Sequence, residues 1–268
     1  MGILTKIVRN LKKGSLISAG SKALSNRFKK WRKSSNLFYR RDFKRILTKE
    51  LEKEFPPIDH NHLKTGNYFI DKRLPLNSDS VVYSLGILED TRFDEAIATK
   101  YKCDVYMFDP TPLTVKFMAG QSNPHFKYFP IGVWTENTNL KFYLPSLDGS
   151  ASTVNVMGDK YFEAKCKTVD TIMNEFGHQH INVFKADIEG AALPVIEQII
   201  DKGIFPDQII AEFERPEGDI KQTIDFFQRL LSLTEKCREL GYKEYLLPRK
   251  HAKYFSLEIL YSRLHKPD

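Results

Sequence analysis

Four stretches of the sequence end an apolar run in a glycine or an acid: "VVYSLGILED" (81–90), "VYMFDPTP" (105–112), "FKADIEG" (184–190) and "QIIAEFE" (208–214). Gly86 closes the first, and without a Cβ it lets a backbone approach a ligand closely. Asp109 closes the second, 23 residues further on, near the spacing of about 20 at which an acid grips the ribose of a bound nucleotide. A carboxylate suits that task because it accepts hydrogen bonds from both ribose hydroxyls at once. The alternative for Asp109 is an Asx-type turn before Pro110. Asp187 and Glu189 stand at i and i+2 where the third run turns into a helix. Such a concentration of negative charge calls for a cationic ligand, a metal or a proton to manage it. Helix capping explains one of these acids more readily than both. Glu212, Glu214 and Arg215 follow the fourth run, so the acids converge on one rim. A dinucleotide loop carries two or three glycines, whereas here Leu88 stands where the second would be.

These residues need strands that end at a common edge, and the chain supplies them. "SVVYSL", "CDVYMFD", "INVFKAD" and "DQIIAEF" read as strands, and "TRFDEAIATKY", "TPLTVKFMAG", "TVDTIMNEFG" and "AALPVIEQIIDKG" as helices between or beside them. Pro112 sits in the first turn of the second helix and Gly120 ends it. "FKYFPIGVW" and "NLKFYLP" read as strands joined through "TENT" into a hairpin. A long helix, "DIKQTIDFFQRLLSLTEKCRELG", precedes a terminal strand pair, "KEYLLP" and "KYFSLEILYS". Alternating strands and helices imply parallel βαβ units and a doubly wound α/β sheet. Ligands of such sheets bind beyond the C-terminal strand ends, near the topological switch point.

Charge divides the chain. Residues 1–45 hold 14 Lys and Arg against one acid, Asp42, a net +13, and the other 223 residues hold 27 bases and 33 acids, a net −6. The division predicts a basic arm over 1–45, a helical lead-in over 46–78 and a catalytic domain over 79–268. "MGILTKIVRNLKKG" reads as a short basic amphipathic helix, and "SNRFKKWRKSSNLFYRRDFKR" interleaves aromatics with cations. An arm of this kind binds an anionic membrane surface, each cation adding about 1 kcal/mol. Contact with a nucleic-acid backbone, or packing of the arm on the body, are the alternatives. No run of 18 apolar residues occurs, so no membrane-spanning segment is expected. Without an apolar signal segment, and with three scattered cysteines (Cys103, Cys166, Cys237) read as free thiols, the expected place is the cytoplasm, peripheral on the inner face of a membrane.

"VVYSLGILEDTRFDEAI…VYMFDPTP", "IGVWTENTNLKFYLP" and "FKADIEGAALPVIEQI", in that order, resemble the FkbM-type methyltransferases. The resemblance covers about residues 65–247. It implies a class I S-adenosylmethionine-dependent enzyme with a Rossmann-like seven-stranded, mostly parallel sheet whose last strand is antiparallel. It further implies a cofactor pocket in which the loop from Gly86 through Ile87, Glu89 and Asp90 lines the methionine end. Asp109 would hold the ribose, Pro110 and Thr111 would flank the adenosine, and Ile131 and Gly132 would lie near the base. The family's first motif commonly reads G-I-G-E-D, and this chain has Leu88 for the middle glycine. Relatives often end the fifth strand E-F-H, where this chain has Glu212-Phe213-Glu214. S-adenosylmethionine has no phosphate, so one close-approach glycine suffices, and Glu89 and Asp90 can face a cationic ligand.

Methyl transfer from a sulfonium is an in-line displacement, in which placing the acceptor is the enzyme's main contribution. A carboxylate within reach removes the acceptor's proton. Asp187 is the first candidate for that base, and Glu189 or Glu214 the next. Asp187 and Glu212 could hold a Mg²⁺, although no spacing argues specifically for a metal. The acceptor implied is a hydroxyl of a sugar, glycan or glycolipid. The "DIEG" turn, in place of an N/D-P-P-Y/F turn, argues against nucleic-acid bases. A module that kept the fold and lost the cofactor is the other class, favoured by Leu88 and Glu214.

Overall fold

The computed structural model describes residues 55–144, 160–214, 220–248 and 256–265. The basic arm, residues 46–54 and Arg215 lie outside the described residues. The described part of the expected helical lead-in is instead a β-hairpin, His62–Thr65 (β1) against Tyr68–Asp71 (β2), paired from His62↔Asp71 to Thr65↔Tyr68. Gly66-Asn67 forms its two-residue loop, with Gly66 at φ 57°. Glycine at the first loop position is what a tight hairpin with right-handed strand twist requires. A Cβ on Gly66 would lie 2.4 Å from the backbone of Arg92, so the turn is seated on the chain that starts the first helix.

Val82–Leu85 (β3) is buried at every position, as a strand covered on both faces must be. It is followed by Arg92–Tyr101 (α1), Val105–Phe108 (β4), Pro112–Met118 (α2) and Phe126–Phe129 (β5). The expected strand "FKYFPIGVW" breaks here, because Pro130 has no N–H to continue a ladder. Its second half, Gly132–Val133 (β6), joins a separate small sheet with Thr138–Tyr143 (β7) and Tyr161–Lys167 (β8). The order β6-β8-β7 corrects the expected hairpin: β8 lies between the two strands, parallel to β6 and antiparallel to β7.

Val169–Phe176 (α3) starts at Thr168, whose hydroxyl accepts from the Thr171 N–H, and ends at Gly177 in the left-handed region. Val183–Ala186 (β9), Ala192–Asp201 (α4), Gln208–Glu214 (β10), Ile220–Glu239 (α5), Tyr242–Leu246 (β11) and Ser256–Arg263 (β12) complete the chain. The main sheet has seven strands in the order β11-β12-β10-β9-β3-β4-β5. β12 runs antiparallel to β10 and β11, and the pairs from β10 to β5 are parallel. The doubly wound reading with an antiparallel last strand therefore holds.

One apolar cluster joins the sheet to α3, α4 and α5. In α4, Ala192, Leu193, Val195, Ile196, Ile199 and Ile200 form one buried stripe at helical spacing, each large side chain contributing about 1.5–3 kcal/mol. The opposite face is covered by α1, α2 and the hairpin, whose Tyr68 and Ile70 are buried there. The chain turns back between β4–β5 and β9–β10, so the switch point lies where β3 meets β9.

Candidate active site

At the switch point the strand ends are locked to one another by backbone and by one buried lysine. Gly86 N–H donates to the Phe108 carbonyl at 3.1 Å, and Asp187 N–H donates to the Leu85 carbonyl at 3.0 Å. Gly86 has φ 75°, and a Cβ there would lie 1.7 Å from the Asp187 carbonyl oxygen. The close approach that demands glycine is thus made by the chain's own β9 loop. Lys185, buried in β9, donates from Nζ to the carbonyls of Leu85 (3.3 Å) and Gly86. Burying an amine is costly unless acceptors surround it, and here the acceptors are the glycine loop itself.

Asp109 staples that loop. Its Oδ2 accepts the N–H groups of Ile87 and Leu88, both at 2.9 Å, and its Oδ1 accepts the Thr111 N–H at 2.8 Å. The last bond is the Asx-type turn. A carboxylate has about four acceptor positions, so three backbone bonds leave room for one more partner. Leu88 follows at φ 51°, in the left-handed region that glycine occupies freely. Asp90 is fixed by Arg92 and by Asn67 of the hairpin turn, and the Arg92 hydrogen bonds hold its carboxyl down at about 2. Glu89 is exposed and lies outside the cavity described next.

A cavity of about 280 Å³ opens beyond these strand ends, near the lower end of the roughly 300–1,000 Å³ usual for small-molecule sites. Ile87, Phe108, Pro110, Val133 and Trp134 supply apolar wall, and Leu140 and Phe142 of β7 extend it. Gly86, Asp90, Asp109, Thr111 and Gly132 also border it. Ile131 packs against the α3–α5 cluster and is not part of the wall. A Cβ on Gly132 would meet Cys166 Sγ at 2.6 Å, so that glycine too answers to internal packing.

Asp187 and Glu189 form the polar edge. Glu189 has φ 40°, immediately before Gly190 at φ 84°, a backbone held in a sparsely populated region as functional loops often are. Behind them stand Glu212 and Glu214 on β10. Burial, reinforced by Asp187, raises the Glu212 carboxyl to about 8, and burial with Glu189 raises Glu214 to about 9. Glu212 shares a hydrogen bond with Asp187, and Glu214 with Glu189. Two carboxyls facing each other across adjacent strand ends thus hold a proton between them, because two adjacent buried charges repel strongly. Neither Glu212 nor Glu214 borders the cavity itself.

Tyr68 and Lys185 do not border the cavity but hold the loops that do, and no motif spacing points to them. Tyr68 Oη donates to Asp187 Oδ2 at 2.5 Å, and Lys185 Nζ lies 5.4 Å from the centre of the Tyr68 ring. A lysine inside the apolar run "INVFKA" was a legible sign, whereas nothing in "NYFID" marks Tyr68. Three histidines have partners away from the cavity: His178 with the Tyr83 hydroxyl (2.8 Å), His180 with Asp207 (2.9 Å) and His125 with Asp104 (3.1 Å). Cys103, Cys166 and Cys237 are buried free thiols. Asp187 and Glu212 are joined by a hydrogen bond, and among the described residues no group of three or more His, Cys, Asp or Glu side chains is placed to hold a metal ion.

The family described as "Methyltransferase FkbM domain" matches residues 86–244. A Homo sapiens protein named "Probable methyltransferase-like protein 24" is 29% identical over 125 residues, covering 46% of this chain and 29% of its own length. Its Rattus norvegicus namesake is 29% identical over 164 residues, covering 58% of this chain and 40% of its own. The chain therefore matches well under half the length of these relatives. Among solved structures, an rRNA methylase from Streptococcus thermophilus superposes with a TM-score of 0.40 at 12% identity, over 72% of this chain and 92% of that one. Aeropyrum pernix fibrillarin, solved with natively bound S-adenosyl-L-methionine, gives 0.38 at 11%, over 72% and 69%.

Proposed function

The chain belongs to the FkbM methyltransferase family, and from that premise we propose that it is an S-adenosylmethionine-dependent methyltransferase acting on a hydroxyl of a sugar, glycan or glycolipid. The observation that carries the reading is the cavity at the switch point, whose lining combines apolar wall with the acids Asp187 and Glu189. The donor set fits the cofactor: a flat base needs apolar wall, and a sulfonium with an ammonium group needs anions. Ile87, Phe108 and Pro110 would take the apolar part, and Asp109 retains one acceptor position for a ribose hydroxyl.

Bound there, the cofactor supplies an electrophilic methyl group whose departure leaves the C–S electron pair on sulfur. The chain's own part is to hold the acceptor in line, exclude water and receive the hydroxyl proton. Asp187 is our choice for the proton acceptor, because it borders the cavity, as Glu189 also does, and is in addition held in place by the Tyr68 hydroxyl. Glu214 stands back from the cavity and, raised to about 9, keeps its proton at neutral pH.

Titration calorimetry with S-adenosylmethionine and S-adenosylhomocysteine tests the premise, and no binding of either at millimolar concentration overturns it. A screen of glycan acceptors with methyl-labelled cofactor tests the substrate class. Asp187→Asn should leave S-adenosylhomocysteine binding intact and lower transfer by about 10²–10⁴-fold, the range lost with a general base. Unchanged transfer would remove Asp187 from the mechanism. The second reading, a fold that has lost its cofactor, draws on Leu88 at φ 51° and on the backbone bonds that already occupy Asp109.

A further inference from the structure

The hairpin lies N-terminal to the residues that match the family, 86–244, yet two of its side chains reach functional strand ends and its backbone is tied to the sheet beside them. Asn67 Nδ2 donates to Asp90 on the glycine loop. Tyr68 donates to Asp187 on the β9 loop. Asp71 N–H donates to the Gln208 side chain at 2.7 Å, at the far end of β10. The hairpin therefore spans the sheet face from the start of β10 to the end of β9. Its middle contact ends on the carboxylate that borders the cavity.

We propose that Tyr68 is a positioning residue of the active site, whose hydroxyl holds one oxygen of Asp187 and so directs that carboxylate at the reacting centre. The inference rests on the cofactor reading above. Three features fit a hydroxyl kept for this purpose. The ring is anchored independently of it, edge-on against Phe93 with centroids 5.7 Å apart and under Lys185 Nζ. Burial, and then Asp187, push the phenol well above its ordinary range, so it remains a donor wherever the protein is folded. The carboxylate it holds is crowded by acids: Glu212 and Glu214 from β10 interact with it, and Glu189 stands two residues on. A hydrogen bond to a charged group in such surroundings is stronger than one between neutral groups, and without it Glu212 is left as the carboxylate's side-chain partner on β10, with nothing from the hairpin to fix its orientation.

S-adenosylmethionine and S-adenosylhomocysteine differ by the methyl group and the positive charge on sulfur, so their affinity ratio reports a directed anion. Tyr68→Phe keeps the ring and removes only the hydroxyl. Expected by calorimetry on the full chain is a loss of about three- to tenfold in preference for S-adenosylmethionine, with S-adenosylhomocysteine affinity within about twofold of the starting protein. Asp187→Asn should produce the same shift by itself, and Tyr68→Phe in that background should add no more than about twofold. Equal weakening of both ligands by Tyr68→Phe, or an unchanged ratio, overturns the inference and leaves the methyltransferase reading standing. An unchanged ratio in Asp187→Asn overturns it even if Tyr68→Phe does not fold. Binding of neither ligand to the unaltered protein removes both.

Discussion

Leu88 is the residue at which sequence pattern and backbone conflict most directly. It adopts φ 51° in the position where a G-x-G loop would have its second glycine, and its N–H is one of the bonds that seat Asp109. A left-handed conformation costs a residue with a Cβ roughly 1–2 kcal/mol. The loop bears that cost because Asp109, Gly86 and Lys185 determine its path from three sides. Leu88→Gly removes the strain, and the added freedom of the unfolded chain returns about half of the gain. The net expectation is a stabilisation of several tenths to about 1 kcal/mol, read as a higher urea midpoint. A lower midpoint would mean that the leucine side chain contributes more by packing than its backbone costs. Gly86 poses the opposite case: it borders the cavity, and packing within the chain by itself already demands glycine there, since a Cβ would meet the Asp187 carbonyl oxygen.

The elements explain why some of this was legible and some was not. Strands buried on both faces, such as Val82–Leu85 and Val183–Ala186, announce themselves as apolar runs, and their ends define the site. The hairpin 62–71 carried a turn signal, Gly66-Asn67, but each of its strands has only four residues, too few for alternation to stand out against a charged neighbourhood. The strand at Tyr161–Lys167 alternates exposed and half-buried residues over most of its length, so hydrophobicity gives it little contrast, and without it β6 and β7 look like partners. The proton-sharing pairs were also hidden, because they arise from the parallel register of β9 and β10. Those pairs make a prediction at their own scale. Glu212 and Glu214 have raised values in the folded chain, so the folded state binds more protons than the unfolded one above the ordinary carboxyl range. Their contribution is therefore most favourable at acid pH and is lost as pH rises from about 4.5 through about 8–9. The slope is at most about 1.4 kcal/mol per pH unit for each proton involved. Thermal midpoints between pH 5 and pH 9 should fall with pH, and Glu212→Gln with Glu214→Gln should flatten that fall. A midpoint that changes with pH equally in both proteins would remove the shared protons from the account.

Taken as a whole molecule, the chain is a dipole of sequence. Residues 1–45 carry +13 and the remainder −6. The arm lies outside the described residues, and among the described residues no helix is long and apolar enough to cross a membrane. The arm's own sequence holds no run of 18 apolar residues, so its cations are the feature that would draw it to a membrane surface. Two consequences of the charge compete. Cations on the arm gain about 1 kcal/mol each near an anionic bilayer, and the acidic body offers the same arm a weaker, screened partner. The bilayer should win, because its charges are dense and the body's net charge is spread over 223 residues. It should also lose that advantage in salt, since the Debye length shrinks from about 10 Å at 0.1 M to about 3 Å at 1 M. We expect the full chain to sediment with phosphatidylserine-containing vesicles at low salt and to stay in solution with neutral phosphatidylcholine vesicles. Removing residues 1–45 should abolish sedimentation while leaving the thermal midpoint of the body unchanged. Binding that survives the deletion would move the membrane surface from the arm to the body. Binding by neither form would leave the arm packed on the acidic body, and the deletion should then lower the midpoint.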